Sequence, residues 1–166
     1  MHAQTSDAAP WLLYPALFVA FVLTYALVYI AHEWGHWLGA VTLAGRMPFA
    51  PYKGILIGYF DPAIHSRTQF LAMSWGGVAG YLTVSTLAVL SYGRAPSPIT
   101  AAIATAGFAF TIQSLAVDLP QIVKVHAGAD PAQTLRTGTR SGLILKRTAQ
   151  TWIPLALILY LWNLQT

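Results

Sequence analysis

The chain has no cysteine and only five acidic residues, and both scarcities restrict its chemistry. Without cysteine there is no disulfide, no thiolate ligand for a metal and no cysteine nucleophile. Charged residues make up 8% of the 166 residues, whereas ordinary soluble domains carry roughly 25%. Hydrophobic residues make up 56% of the chain, and the mean hydropathy is +0.56. These values indicate an integral membrane protein, in which any metal must bind histidine, aspartate or glutamate.

Long apolar segments set the expected architecture. A helix crosses a hydrocarbon core of roughly 30 Å with about 20 residues. Four segments meet or approach this length, and we expect transmembrane helices at about 11–44, 70–92, 99–117 and 148–164. A chain of this length has room for one bundle but not for a further large extramembrane module. The sequence therefore predicts a single all-α polytopic domain over 1–166.

The second segment carries small residues at Ala72, Gly76 and Gly80, which are four positions apart. This spacing puts them on one helix face and lets a neighbouring helix backbone approach closely. We interpret the stripe as a packing surface, and its proximity to a functional site stays open.

The loop after the first segment differs from an ordinary polar loop. Pro48 and Pro51 precede an apolar run that is typical of a short β-strand, namely Gly54, Ile55, Leu56, Ile57, Gly58, Tyr59 and Phe60. One interpretation is an interfacial hairpin with aromatic residues at the lipid headgroups. The other is an edge strand that pairs with an extended substrate, with Gly54, Ile55, Leu56 and Ile57 as binding residues.

Basic residues are distributed unequally between the two sides of the predicted bundle. Eight of the nine lie in the loops that follow the first and third helices, and only Arg94 lies on the other side. Cytoplasmic loops are enriched in lysine and arginine, so we expect both termini outside and these two loops in the cytoplasm. The basic residues form no stripe, which argues against nucleic-acid binding. We expect a multi-pass protein of a bacterial or archaeal cell membrane.

The pentapeptide His32-Glu33-Trp34-Gly35-His36 ends an apolar run without charged residues. Two histidines four positions apart lie on one helix face and can bind one metal ion, while Glu33 can act as a general base on the metal's water. Ionisable residues within a membrane are costly and usually functional. The alternatives are packing histidines, a haem site and an ion pathway, but a haem site leaves Glu33 without a role.

A catalytic zinc ion usually has three protein ligands and one open position. The third ligand must lie on the same side as the motif. Three aspartates on that side are candidates, with two histidines as outsiders. These five residues are Asp61, Asp118, Asp130, His65 and His126. Asp130 precedes Pro131, a pair that also favours the start of a helix.

Three features in this order resemble the site-2 protease family of intramembrane zinc metalloproteases, in a small, minimal-core form. The motif 32–36 is similar to the family's HExGH, and Gly76-Gly77-Val78-Ala79-Gly80 falls where the family has a small-residue motif. Asp118-Leu119-Pro120 followed by Asp130 resembles the family's Asn-x-x-Pro to Asp-Gly segment. The resemblance implies zinc bound by His32, His36 and Asp130, with Asp118 as the alternative ligand or as a residue that orients a ligand or the substrate.

The function that this resemblance implies is a zinc-dependent endopeptidase. It would cleave a peptide bond in or near a transmembrane helix of another membrane protein, with Glu33 as catalytic base and one Zn²⁺ per chain. A regulator is expected to be a separate protein. The rival hypothesis is a non-hydrolytic metal-binding or haem-binding membrane protein, or an inactive relative that binds client helices.

Overall fold

The computed structural model describes residues 10–43 and 65–138. These residues form four helices, named α1 (Pro10–Thr42), α2 (Arg67–Arg94), α3 (Pro98–His126) and α4 (Pro131–Gly138). Three of them, α1 to α3, are long and apolar enough to cross a membrane. The described part of the chain contains no strand and agrees with a multi-pass all-α protein. The predicted strand at 54–60 and the predicted helix at 148–164 lie outside the described residues.

Helices α2 and α3 begin at well-defined caps. The Ser66 hydroxyl accepts a hydrogen bond from the backbone N–H of Gln69, whose side chain in turn accepts one from the Ser66 backbone. Ser97 and Thr100 form the same reciprocal arrangement, and Pro98 occupies the first turn of α3. Each cap satisfies backbone N–H groups that have no partner within the helix. The caps therefore fix where both helices start.

Helix α3 is longer than predicted, because it ends at His126 rather than near Val117. It continues through Pro120, which leaves the Ala116 carbonyl without its usual helical donor. At the neighbouring position, the Gln121 side-chain amide donates a hydrogen bond to the Val117 carbonyl oxygen at 3.1 Å. Membrane helices tolerate proline when nearby polar groups satisfy the backbone. As a result Asp118 lies inside a helix rather than in a loop.

The end of α3 is set by Gly128, which has a φ of 108°. The backbone N–H of Ala129 donates to the Lys124 carbonyl, and the N–H of Gly128 donates to the Val125 carbonyl. This pair of bonds is the Schellman arrangement, in which glycine accommodates the left-handed position. The chain then turns directly into α4.

The three long helices pack against one another, and α4 packs on α3. One buried cluster joins all three long helices through Val28, Val78, Tyr81, Phe110 and Ile122. A second cluster contains Ala40, Phe70, Met73 and Val125. The earlier part of α1 is largely exposed, with Phe18 at 65% and Leu23 at 64%. Such apolar exposure is expected of a lipid-facing helix surface.

Glycines bring α1 and α2 into backbone contact. A Cβ atom added to Gly35 would overlap the Gly76 carbonyl, and one added to Gly39 would overlap the Ala72 carbonyl. Gly80 lies in the same way against the Ala31 carbonyl. The prediction that Ala72, Gly76 and Gly80 form a packing stripe is therefore confirmed. It also explains the glycine inside the histidine motif, which permits the close crossing.

One basic side chain connects the end of α3 to the start of α2. The Arg67 guanidinium donates hydrogen bonds to the carbonyl oxygens of Val125 and His126, the latter at 2.8 Å. These carbonyls belong to the last turn of α3, where no N–H group lies four residues further along the helix to bond them. A cation at this end also complements the negative end of the helix dipole.

Candidate metal centre

The two motif histidines lie on the same face of α1, as predicted. The Nε2 atoms of His32 and His36 are 3.1 Å apart, and His32 is 9% exposed. Two ligands of a tetrahedral zinc ion with Zn–N bonds of about 2.0–2.1 Å are separated by roughly 3.4 Å. The spacing of the two imidazoles therefore fits a shared metal ion with little adjustment.

Helix α3 brings a carboxylate to these histidines. One donor atom from each of His32, His36 and Asp118 lies within 4.8 Å of the other two. Asp118 Oδ2 is 3.9 Å from His32 Nδ1, the ring nitrogen opposite the Nε2 atom that faces His36. Among the described residues this is the one group of three or more metal-binding side chains. Two imidazoles and a carboxylate form a donor set that catalytic zinc commonly uses.

A backbone carbonyl fixes the orientation of His36. Its Nδ1 atom is 2.8 Å from the Met73 carbonyl oxygen on α2. A carbonyl only accepts, so Nδ1 carries the proton and Nε2 presents its lone pair towards His32. Hydrogen bonds of this kind are typical of metal-bound histidines. The carbonyl thus orients His36 for metal binding.

Gly77 leaves room for the His36 ring. A Cβ atom at this position would overlap the imidazole. The small-residue segment of α2 therefore has two functions, since Gly76 permits the helix crossing and Gly77 accommodates a candidate ligand. Gly77 is not one of the stripe residues Ala72, Gly76 and Gly80, but it follows Gly76 directly and contacts a candidate ligand.

A cavity of about 310 Å³ lies between α1 and α3, beside the histidine–aspartate cluster. Its wall includes His32 and Asp118, together with Glu33. Polar groups dominate the lining, although the surrounding helices are apolar. Such a cavity can hold water within an otherwise apolar bundle.

Two tyrosines extend the polar lining along α1. The Tyr29 hydroxyl lies close enough to the carboxylate of Glu33, one helical turn further on, to interact with it. One turn before Tyr29, the Tyr25 hydroxyl donates a hydrogen bond to the Gln113 side-chain oxygen on α3. Tyr29 thus adjoins the candidate base, and the bond from Tyr25 to Gln113 joins the two helices that form the cavity.

Asp130 and the two outlying histidines lie elsewhere. The carboxylate of Asp130 accepts a hydrogen bond from the backbone N–H of Gln133 at 2.9 Å, so it caps α4. It is exposed and lies outside the metal-binding group. His126 is exposed, and its Nε2 atom accepts a hydrogen bond from the Trp75 indole N–H at 3.3 Å. The structure thus brings Asp118 rather than Asp130 to His32 and His36.

The remaining predicted ligands and substrate-binding residues lie outside the cluster or outside the described part of the chain. His65 is buried but lies outside the group. Asp61 and the predicted substrate strand, including Gly54, Ile55, Leu56 and Ile57, lie outside the described residues.

Sequence reasoning missed several residues around the site, although two signals were present. Tyr25, Tyr29 and Glu33 are four positions apart, which places them on one face of α1. Gln113 is a polar residue in an apolar span, a feature that points to a functional position. The Met73 carbonyl had no signal, because a backbone group carries no residue-specific pattern.

No protein-family model, curated protein or solved structure matches the chain. Functional inference therefore depends on the geometry of the site.

Proposed function

We propose that the protein is an intramembrane zinc endopeptidase in which His32, His36 and Asp118 hold the metal. The observation that carries this proposal is the convergence of these three donors within 4.8 Å on a cavity that Glu33 also lines. When bound, zinc would polarise a carbonyl group and lower the pKa of its water to about 7.

Glu33 has the position of a general base. It follows His32 directly, lines the same cavity and lies close to the Tyr29 hydroxyl. In the proposed reaction, its carboxylate accepts a proton from the attacking water as the water oxygen bonds to the substrate carbonyl carbon. Glu33 then donates that proton to the leaving nitrogen as the C–N bond breaks, which yields a carboxylic acid and an amine.

The depth of the site supports a substrate within the membrane. His32 lies ten residues before the end of α1, and Asp118 lies eight residues before the end of α3. At a rise of about 1.5 Å per residue, these positions are roughly 12–15 Å from the helix ends. A peptide bond cleaved there must lie in or near a transmembrane segment of another protein.

The side of the membrane follows from the charges near this end of the bundle. Arg67 and Lys124 lie at the end where α1 and α3 finish, whereas Arg94 lies at the opposite end. By the positive-inside rule, this charge distribution supports an orientation with the site towards the cytoplasm and the start of α1 outside.

Geometry also bears on the rival haem hypothesis. The two histidines are neighbours on one helix, with their Nε2 atoms 3.1 Å apart. A haem iron with two histidine ligands binds them on opposite sides of its ring, and this pair leaves no room for a ring between them. Two rival hypotheses remain, a non-haem metal-binding protein and an inactive relative that binds client helices. The following experiment distinguishes both from a protease.

The test uses purified protein in liposomes with a panel of transmembrane peptides, and new peptide termini are identified by mass spectrometry. We expect the wild type to cleave and to contain one zinc ion per chain. Glu33→Gln should lower turnover by about 10²–10⁴-fold, the usual contribution of a general base, with zinc content unchanged. Asp130→Asn is the matched control and should retain activity, because Asp130 lies outside the cluster.

A wild type that contains zinc but cleaves no peptide would favour the non-hydrolytic alternative. Equal turnover by Glu33→Gln and the wild type would refute the assignment of the base.

A further inference from the structure

Tyr81 has an unusual environment for a phenol. It lies on α2 immediately after the small-residue segment, and it is 0% exposed. Its hydroxyl has no hydrogen-bond partner among the described residues. Buried hydroxyl groups are nearly always hydrogen-bonded, because losing water without a replacement partner is costly. Tyr81 therefore needs an explanation that packing alone does not give.

The position of the ring links Tyr81 to the metal centre. Its centroid is 5.5 Å from that of the His32 imidazole and 6.1 Å from that of Phe110. Tyr81 also packs with Ile122 in the same buried cluster. On α3, Ile122 is one turn after Asp118, so the two lie on the same helix face. The Asp118 carboxylate is close enough to act electrostatically on the phenol.

Tyr81 approaches the cluster from α2 and does not line the cavity between α1 and α3. A substrate in that cavity would contact Glu33 and Asp118 but not this phenol. Its role must therefore act through another residue, which makes it a positioning residue rather than a catalytic one.

Carboxylates that bind metals are themselves usually held by hydrogen bonds from surrounding groups. A phenol O–H is a suitable donor to such an oxygen. We propose that the Tyr81 hydroxyl donates a hydrogen bond to the Asp118 carboxylate when that carboxylate binds the metal, and so holds it in the ligating orientation. This inference rests on the proposed function, because it requires Asp118 to be a ligand.

The chain offers a matched control in Thr111. Its hydroxyl is also buried without a hydrogen-bond partner among the described residues. Thr111 is seven residues before Asp118 on α3, which places it about 10 Å away along the helix axis. The substitution Thr111→Val therefore removes a buried hydroxyl of the same kind that is remote from Asp118.

The experiment measures zinc affinity by competition with a chelator for the wild type, Tyr81→Phe and Thr111→Val. The visible spectrum of the Co²⁺-substituted proteins reports the coordination geometry, and melting of the metal-free proteins reports packing. For Tyr81→Phe we expect zinc affinity to fall by about 10–100-fold, the usual effect of losing a hydrogen bond to a ligand. The cobalt spectrum should change as well. Thr111→Val should remain within about twofold of the wild type in zinc affinity, because its hydroxyl is remote from Asp118.

The melting temperature of metal-free Tyr81→Phe should equal or exceed that of the wild type, since the change removes a buried hydroxyl without a partner. Zinc affinity within twofold of the wild type would overturn the inference. So would a loss of affinity matched by a lower melting temperature of the metal-free protein, because that result indicates a packing role. A wild type that binds no zinc would instead refute the proposed function itself.

Discussion

Helix α1 contacts its two neighbours in opposite ways. Against α2 it presents Gly35 and Gly39, and the two backbones meet so closely that no side chain fits between them. Against α3 it presents tyrosine, histidine and glutamate side chains, which leave a cavity of about 310 Å³. We call these contacts the glycine seam and the polar seam.

The two seams contain different kinds of groups: the glycine seam positions a candidate ligand, and the polar seam contains the side chains to which we assign chemical roles. The glycine seam places a backbone carbonyl against His36 at 2.8 Å, a contact whose geometry depends on helix spacing. The polar seam contains Glu33, Asp118 and the cavity that we propose as the substrate site. Small residues are suited to the first task, because close backbones have few alternative arrangements. Long polar side chains are suited to the second, because they can hydrogen-bond water in the cavity between the helices.

The largest predicted effect concerns Asp118, the metal ligand that we propose in the polar seam. Asp118→Asn should lower zinc affinity by roughly 100-fold or more, because a neutral amide replaces an anionic ligand. Asp130→Asn should leave zinc affinity unchanged, because that carboxylate caps α4. Equilibrium competition with a chelator measures both variants.

A large loss of zinc affinity in Asp130→Asn together with an unchanged affinity in Asp118→Asn would indicate that Asp130 is the third ligand. A loss limited to about 10–100-fold for Asp118→Asn, with an unchanged cobalt spectrum, would indicate that Asp118 orients His32 rather than binding the metal.

A smaller effect is expected from the glycine seam. Gly35→Ala should destabilise the metal-free protein by about 1–3 kcal/mol, because the new methyl group overlaps the Gly76 carbonyl and overpacking costs this much. Gly93→Ala is the matched control on α2, since a Cβ there meets nothing within 4 Å. That control should be neutral or stabilise the helix by up to about 1 kcal/mol.

The six tryptophans provide the fluorescence signal for thermal unfolding of both variants in detergent. Equal melting temperatures for Gly35→Ala and Gly93→Ala would show that the helices can separate without cost, and the contrast between the two seams would fail.

The smallest effect is predicted for the bond that crosses the polar seam. Tyr25→Phe removes the donor to Gln113 and should cost about 1 kcal/mol, the net value of a typical hydrogen bond. Zinc affinity should stay within about twofold of the wild type, because Tyr25 lies two turns from His32. A tenfold loss of zinc affinity would show that this bond also sets the metal geometry.

The sequence predicted the helices and part of the site for identifiable reasons. Apolar length located α1, α2 and the start of α3, and the four-residue spacing placed His32 and His36 on one face. The stripe of Ala72, Gly76 and Gly80 predicted a close helix contact. Each of these inferences depends on periodicity within a single helix.

The identity of the aspartate near the histidines depends on tertiary structure, and here sequence reasoning preferred a different residue. Asp130 combined a family-like position with a favourable helix-capping context, and the structure contains the cap. The end of α3 could not be located at Pro120, because proline is tolerated within this helix. Once α3 continues to His126, Asp118 faces the bundle at the level of His32, a placement that no local pattern specifies.

The hydrogen bonds from Arg67 to the end of α3 have a consequence for the axial register of the bundle. A slip of α3 by one residue would carry Asp118 about 1.5 Å along the axis and turn it by about 100°, far beyond the roughly 0.2 Å tolerance of metal–ligand distances. Arg67 binds the last carbonyls of α3 while it begins the helix that contains Met73 and Gly77. Arg67 thus fixes the axial position of the Asp118 carboxylate relative to Met73 and Gly77, the residues that contact His36. It limits sliding of α3 along α2 from a position remote from the candidate metal centre.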